Sequence, residues 1–148
     1  MQTKKLQNFF KDNTKLYIEH KGTIYQSFPN ERQFMIIAYI AYGQGTVVIG
    51  NNRFSAVQKD IFIINPGIRT EFIMSKNVPN PIFEIYFICF EKDYLQIEWE
   101  NYIRDFSELE FFLKNNGQSY LKVSDNKKCE IRNCIVRIIN EYYEDTPG

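Results

Sequence analysis

Between Arg32 and Phe90 the apolar runs are short, and most of them end in turn chemistry: Gly43-Gln44-Gly45, Gly50-Asn51-Asn52 and Asn65-Pro66-Gly67. Glycine and asparagine tolerate the positive φ of tight reversals, and proline interrupts a strand. Such punctuation leaves no room for long helices and predicts antiparallel strands following one another, as in a small all-β sandwich or barrel. Phe34 to Tyr42 is apolar on both alternating faces, which predicts a central strand covered on both sides. Gly43-Gln44-Gly45 then reads as a reversal into a returning strand, Thr46 to Ile49. Arg53–Val57 and Ile61–Ile64 flank Gln58-Lys59-Asp60, Arg69–Met74 follows the Pro-Gly turn, and Ile82–Phe90 closes the set after the Pro-rich crossing Lys76–Pro81.

The flanks differ in character. Met1 to Asn13 is polar without clean periodicity and predicts an arm. Thr14 to His20 sets Leu16 and Ile18 against Lys15, Tyr17 and Glu19, a strand with one face inward, and Thr23–Phe28 is a second short strand broken by Pro29-Asn30. Asp93 to Asp105 fits a strand and a helix face equally. At Ser107 the capping box Ser107-Glu108-Leu109-Glu110, with Phe106 and Phe111 as a hydrophobic staple, starts a short helix that Gly117 ends. Ser124 and Asp125 can cap a second helix carrying Ile131, Ile135, Ile138 and Tyr142 on one stripe, with Cys134 and Ile139 beside it. Glu144 to Gly148 reads as a helix stop and the start of a linker. The expected organisation is an arm (1–13), a β-sandwich (14–92) and a helical part (93–148) in one structural domain.

A chain of 148 residues is large enough to bury a core without staples. Its 18 basic and 18 acidic residues cancel, so no global field draws in a polyanion. Cys89, Cys129 and Cys134 form an odd set without metal or redox spacing, and free structural thiols are expected. No secretory pattern opens the chain, and its longest apolar runs are far short of a membrane span, so a cytoplasmic, membrane-free protein is expected. Phosphate loop, nucleophile elbow and Cys-His pairing are all missing, and Gly43 and Gly45 lack the rest of a dinucleotide fingerprint.

The order of a strand ending in YGQG, a hairpin, KDIFIINPGIRTEF, a Pro-containing loop and PIFEIYFICF resembles the cupin-type sensor domain of the AraC family of bacterial transcription regulators. The resemblance implies a cupin-type double-stranded β-helix, a jelly-roll sandwich, followed by two C-terminal α-helices. It also implies ligand sensing and dimerisation without catalysis, with DNA contacted only through a helix-turn-helix domain outside this chain. It places a pocket for a small organic effector, a sugar or another small molecule, between the sheets beneath the arm. Thr70 and Phe87 would touch the effector there, and Phe83, Ile85, Phe87 and Cys89 share one strand face by alternation. Arg32 is a candidate polar clamp, and Tyr17, Tyr39 and Arg69 are further candidates. The final helix is implied to join a homodimer through Ile131, Ile135, Ile138 and Tyr142, although the same stripe would also pack on a sheet.

Enzymatic cupins hold a metal through histidines. Here the single histidine, His20, lies outside the stretch that matters, Thr70 stands where the resembled pattern commonly has histidine, Lys59 where it favours glycine and Asn65 where it favours proline. No metal or other cofactor is therefore expected. The competing readings are a free-standing cupin isomerase or dioxygenase, which would need a metal, and a dimerisation module whose barrel is packed solid.

Overall fold

The computed structural model describes residues 16–22, 24–91, 120–123, 125 and 128–145. Eight strands and one helix lie among them: β1 Leu16–Gly22, β2 Tyr25–Phe28, β3 Met35–Ile49, β4 Asn52–Val57, β5 Ile61–Ile64, β6 Thr70–Met74, β7 Phe83–Phe90, β8 Tyr120–Lys122 and α1 Lys128–Asp145. All pairings are antiparallel. One sheet runs β1-β7-β3-β5-β8. The second is built from β2, β6, the C-terminal half of β3, and β4.

Because side chains alternate along a strand, β3 and β7 each feed two cores. Ile36, Ala38 and Ile40 of β3 and Phe83, Ile85, Phe87 and Cys89 of β7 point between the sheets, where they meet Phe28, Phe62 and Phe72. Met35 and Ile37 of β3 and Ile88 and Phe90 of β7 point to the opposite face, which α1 covers. This explains why Phe34–Tyr42 reads as apolar on both faces. The single face expected for Phe83, Ile85, Phe87 and Cys89 is found as such, and the architecture is the β-sandwich that the punctuation predicts.

The expected reversal at Gly43-Gln44-Gly45 is not there. β3 runs unbroken for 15 residues. A register irregularity between Ile40 and Tyr42, followed by φ of 87° at Gly43, turns it out of one sheet and into the other. Both glycines are required by close approach as well. A Cβ on Gly43 would lie 1.8 Å from the Ile82 carbonyl oxygen, and one on Gly45 would lie 2.3 Å from that of Ile73. The genuine reversals come at Gly50, with φ of 60°, and at Gly67, with φ of 88°. Lys59, standing where the resembled pattern favours glycine, adopts φ of 78° without being one.

Two further corrections concern the C-terminal part. β8 was not foreseen; it pairs with β5 and carries the chain toward α1. In α1, Ile131, Ile135, Ile138 and Ile139 are buried and Tyr142 is half-buried, all packed against Met35, Ile37, Ile63 and Ile88 of the sheet. The stripe assigned to a two-helix seam therefore covers its own sheet and is not free to pair with a second copy. The expected arm, the ambiguous stretch 93–105 and the helix expected from Ser107 lie outside the described residues.

Candidate functional site

The site begins at the turn after β2. The Arg32 amide donates to the Pro29 carbonyl at 3.4 Å, so the Pro29-Asn30 break folds the chain back and delivers Arg32 to the end of the intersheet core. Its side chain is 1% exposed. Nη1 donates to the Phe34 carbonyl at 2.5 Å and Nη2 to the Ile68 carbonyl at 3.3 Å. The guanidinium carbon lies 5.9 Å from the centre of the Phe34 ring. Nε has no hydrogen-bond partner. Burial lowers the Arg32 pKa to about 10, with the nearby Cys89 opposing that shift, so the group stays cationic at neutral pH.

Thr70 reaches the same point from β6. Its Oγ1 donates to the Ile68 carbonyl at 3.2 Å, so Arg32 and Thr70 converge on one oxygen, presented by the segment after the Asn65-Pro66-Gly67 turn. Thr70 is fully buried and pairs with Phe28 and Ile49, both intersheet residues. Phe87 completes the group, with ring centres 5.3 Å from Phe28 and 5.0 Å from Phe72 in edge-on contacts. Phe34 touches Phe28 at 6.4 Å. The result is a cationic fork at one end of a knot of four phenylalanines.

Tyr17 packs at the margin of this core, in register with Cys89. Burial, and then the charge of Glu19, push its phenol pKa up. Two other candidates are elsewhere. Tyr39 alternates to the outer face, where it stacks on Tyr86 at 6.5 Å, because Ala38 and Ile40 take the inward positions. Arg69 is turned to solvent, with its side chain 65% exposed and paired at 3.4 Å with Glu71. Arg32, Thr70, Phe87 and, at the margin, Tyr17 are therefore brought together, while Tyr39 and Arg69 are not.

Sequence reasoning missed Gln26. It is 6% exposed, pairs in register with Phe72 and accepts a 2.6 Å hydrogen bond from Lys21 Nζ. The signal was alternation, since Gln26 lies two residues before the inward Phe28. Phe28, Phe34 and Phe72 were likewise not singled out. His20 is exposed, stacked on Tyr86 at 4.3 Å and 3.5 Å from Glu84. Among the described residues no three of His, Cys, Asp and Glu lie where they could hold one metal ion.

The AraC-like ligand binding domain model matches residues 13–106, across the sandwich that holds this site. The chain belongs to that family. Among solved structures it is similar to ToxT from Vibrio cholerae O395 bound to (E)-4-(8-methylnaphthalen-1-yl)but-3-enoic acid, with 7% identity and a TM-score of 0.53 over 91% of this chain and 51% of that one. It is also similar to plu4264 protein from Photorhabdus luminescens, with 16% identity and a TM-score of 0.47 over 66% and 75%. EutQ from Clostridium difficile matches with 14% identity and a TM-score of 0.42 over 55% and 61%. This chain thus spans about half of ToxT and 61% of EutQ. No curated protein matches it. The family-model match and the ToxT likeness agree with the jelly-roll sandwich read from the strand order, and the domain is of the AraC-like ligand-binding kind.

Proposed function

We propose that this AraC-like domain senses a small organic effector between its sheets, for a bacterial cytoplasmic transcription regulator whose DNA-reading part lies outside the chain. The observation that carries the reading is the convergence of Arg32 and Thr70 on the Ile68 carbonyl beside Phe87, inside a domain of a ligand-binding family. Ligand sites are mostly apolar, with a few polar groups that fix orientation, and this end of the core has that composition. ToxT with its bound small molecule supports the same class of partner. The role is non-enzymatic, and elemental analysis of purified protein would overturn this by finding a stoichiometric transition metal.

Two copies pair, in this reading, through the exposed flank of α1 beside the stripe that packs on the sheet. There Val136 is 40% and Tyr143 49% exposed, seven residues apart and so on one side of the helix. Effector binding then biases one arrangement of the pair over another by its differential affinity for the two. A cognate effector raises the melting temperature, by an amount set by its concentration relative to Kd. A broad screen of sugars, amino acids and organic acids that gives no shift refutes the sensing role. Sedimentation tests the pairing: a monomer at micromolar concentration, or a dimer unaffected by Val136→Asp with Tyr143→Asp, refutes it.

A further inference from the structure

Arg32 has more donors than the fold uses. A guanidinium carries five N–H groups. The Phe34 and Ile68 carbonyls take two of them, and Nε–H has no acceptor although the residue is 1% exposed. Both of the acceptors it does find are neutral backbone carbonyls, and no carboxylate is among them. Its surroundings are Phe34, with its ring under the guanidinium, the buried Cys89 thiol, whose pKa burial raises, and the phenylalanine knot beyond. A buried cation normally has an anion or a full set of acceptors beside it, because removing it from water costs several kcal/mol that two neutral carbonyls offset only in part.

We infer that the effector is a monocarboxylic acid with an apolar body, its carboxylate taking the free Nε edge of Arg32 and its body lying against the Phe28–Phe34–Phe72–Phe87 knot. The inference rests on the sensing role proposed above and narrows the class of ligand. One guanidinium matches one negative charge, and its planar fork fits the two oxygens of a carboxylate. A phosphate dianion would leave a charge uncompensated in an apolar core. A sugar would leave the cation unpaired and would set hydroxyls against phenylalanine rings. Lys21 supplies no second cation for a larger anion, since its ammonium is held by Gln26 at 2.6 Å on the β1–β2 side.

The test compares each acid with its own primary amide, which keeps the shape and removes the charge. Straight-chain alkanoates and arylalkanoates, with the matching amides and a set of neutral sugars, are titrated into the purified chain by calorimetry and thermal shift at neutral pH. At least one acid is expected to bind about tenfold or more tightly than its amide, as a charge-assisted pair requires. Arg32→Gln and Arg32→Met are expected to abolish that preference. The acid-to-amide comparison uses the unaltered protein, so it stands even where a variant does not fold. Equal binding of acid and amide overturns the carboxylate assignment, as does acid binding that survives Arg32→Met. Tight binding of a sugar or other neutral compound overturns that assignment while leaving the sensing role intact. Failure of every acid overturns it as well, and only failure of the neutral compounds too removes the sensing role.

Discussion

Truncating Ile135 to alanine is expected to cost about 3 kcal/mol, within the range of roughly 2–5 for removing a fully buried isoleucine side chain beyond Cβ. The structure selects this residue because it is 1% exposed and lies in the middle of the face that α1 lays on the sheet, between Ile131 and Ile138. Val136, one position along the same helix, is 40% exposed, so Val136→Ala should change stability by about 0.5 kcal/mol or less. Urea unfolding followed by far-ultraviolet circular dichroism separates the two. With a slope of about 2 kcal/mol per molar urea, 3 kcal/mol moves the midpoint by about 1.5 M, and Val136→Ala should move it by about a quarter of a molar or less. The loss at Ile135 should also be the same at every protein concentration, since its partners are in its own chain. A cost below about 1 kcal/mol, or one that varies with protein concentration, would refute the packing of this stripe on its own sheet. It would restore the seam between two copies.

Gly43→Ala should cost about 3 kcal/mol or more, because it sets a methyl group against the Ile82 carbonyl at a φ of 87°; wild-type stability in a thermal melt would overturn the explanation of the β3 bend. Lys59→Gly should stabilise the domain by about 0.5 kcal/mol, the relief of a left-handed lysine exceeding the added chain entropy, and a lowered melting temperature would contradict this. Burial pushes the Cys89 thiol above its ordinary 9.0. Its folded pKa is therefore the higher one, so the associated stability is complete below pH 9 and is lost as pH rises past it, at up to about 1.4 kcal/mol per pH unit. Tyr17 and Tyr143 are shifted in the same direction from 10.0 and add to the loss at higher pH. Cys89→Ala should flatten the stability profile just above pH 9, and an unchanged slope would show that Cys89 is not the group concerned. In the folded protein, iodoacetamide followed by peptide mapping should label the exposed Cys129 and spare Cys89.

Alternation carries direction within a strand but does not say which face of a sheet a chain segment will find. That is why Phe83, Ile85, Phe87 and Cys89 could be grouped correctly from the sequence, while Tyr39 was placed with the pocket candidates. Its outward position depends on α1, distant in sequence, which makes the outer face of the sheet a second core and gives an aromatic residue equal reason to lie there. Arg32 and Arg69 show the same limit with charge. Both flank apolar runs, yet only the Pro29 turn draws one of them inward, and the other lies beside Glu71 in solvent. Gly43-Gln44-Gly45 shows it with backbone. Two glycines between apolar runs read as a reversal because local chemistry records only that Cβ is excluded. Here the exclusion comes from the Ile82 and Ile73 carbonyls crossing the strand, so the same residues mark a place where β3 must pass close to others and change sheets. The bend then has a consequence for the site. By carrying β3 from one sheet into the other, it places Ile49 beside Thr70 while Ile36 and Ala38 remain beside Cys89 and Phe87, so one strand braces both walls between which Arg32 is held.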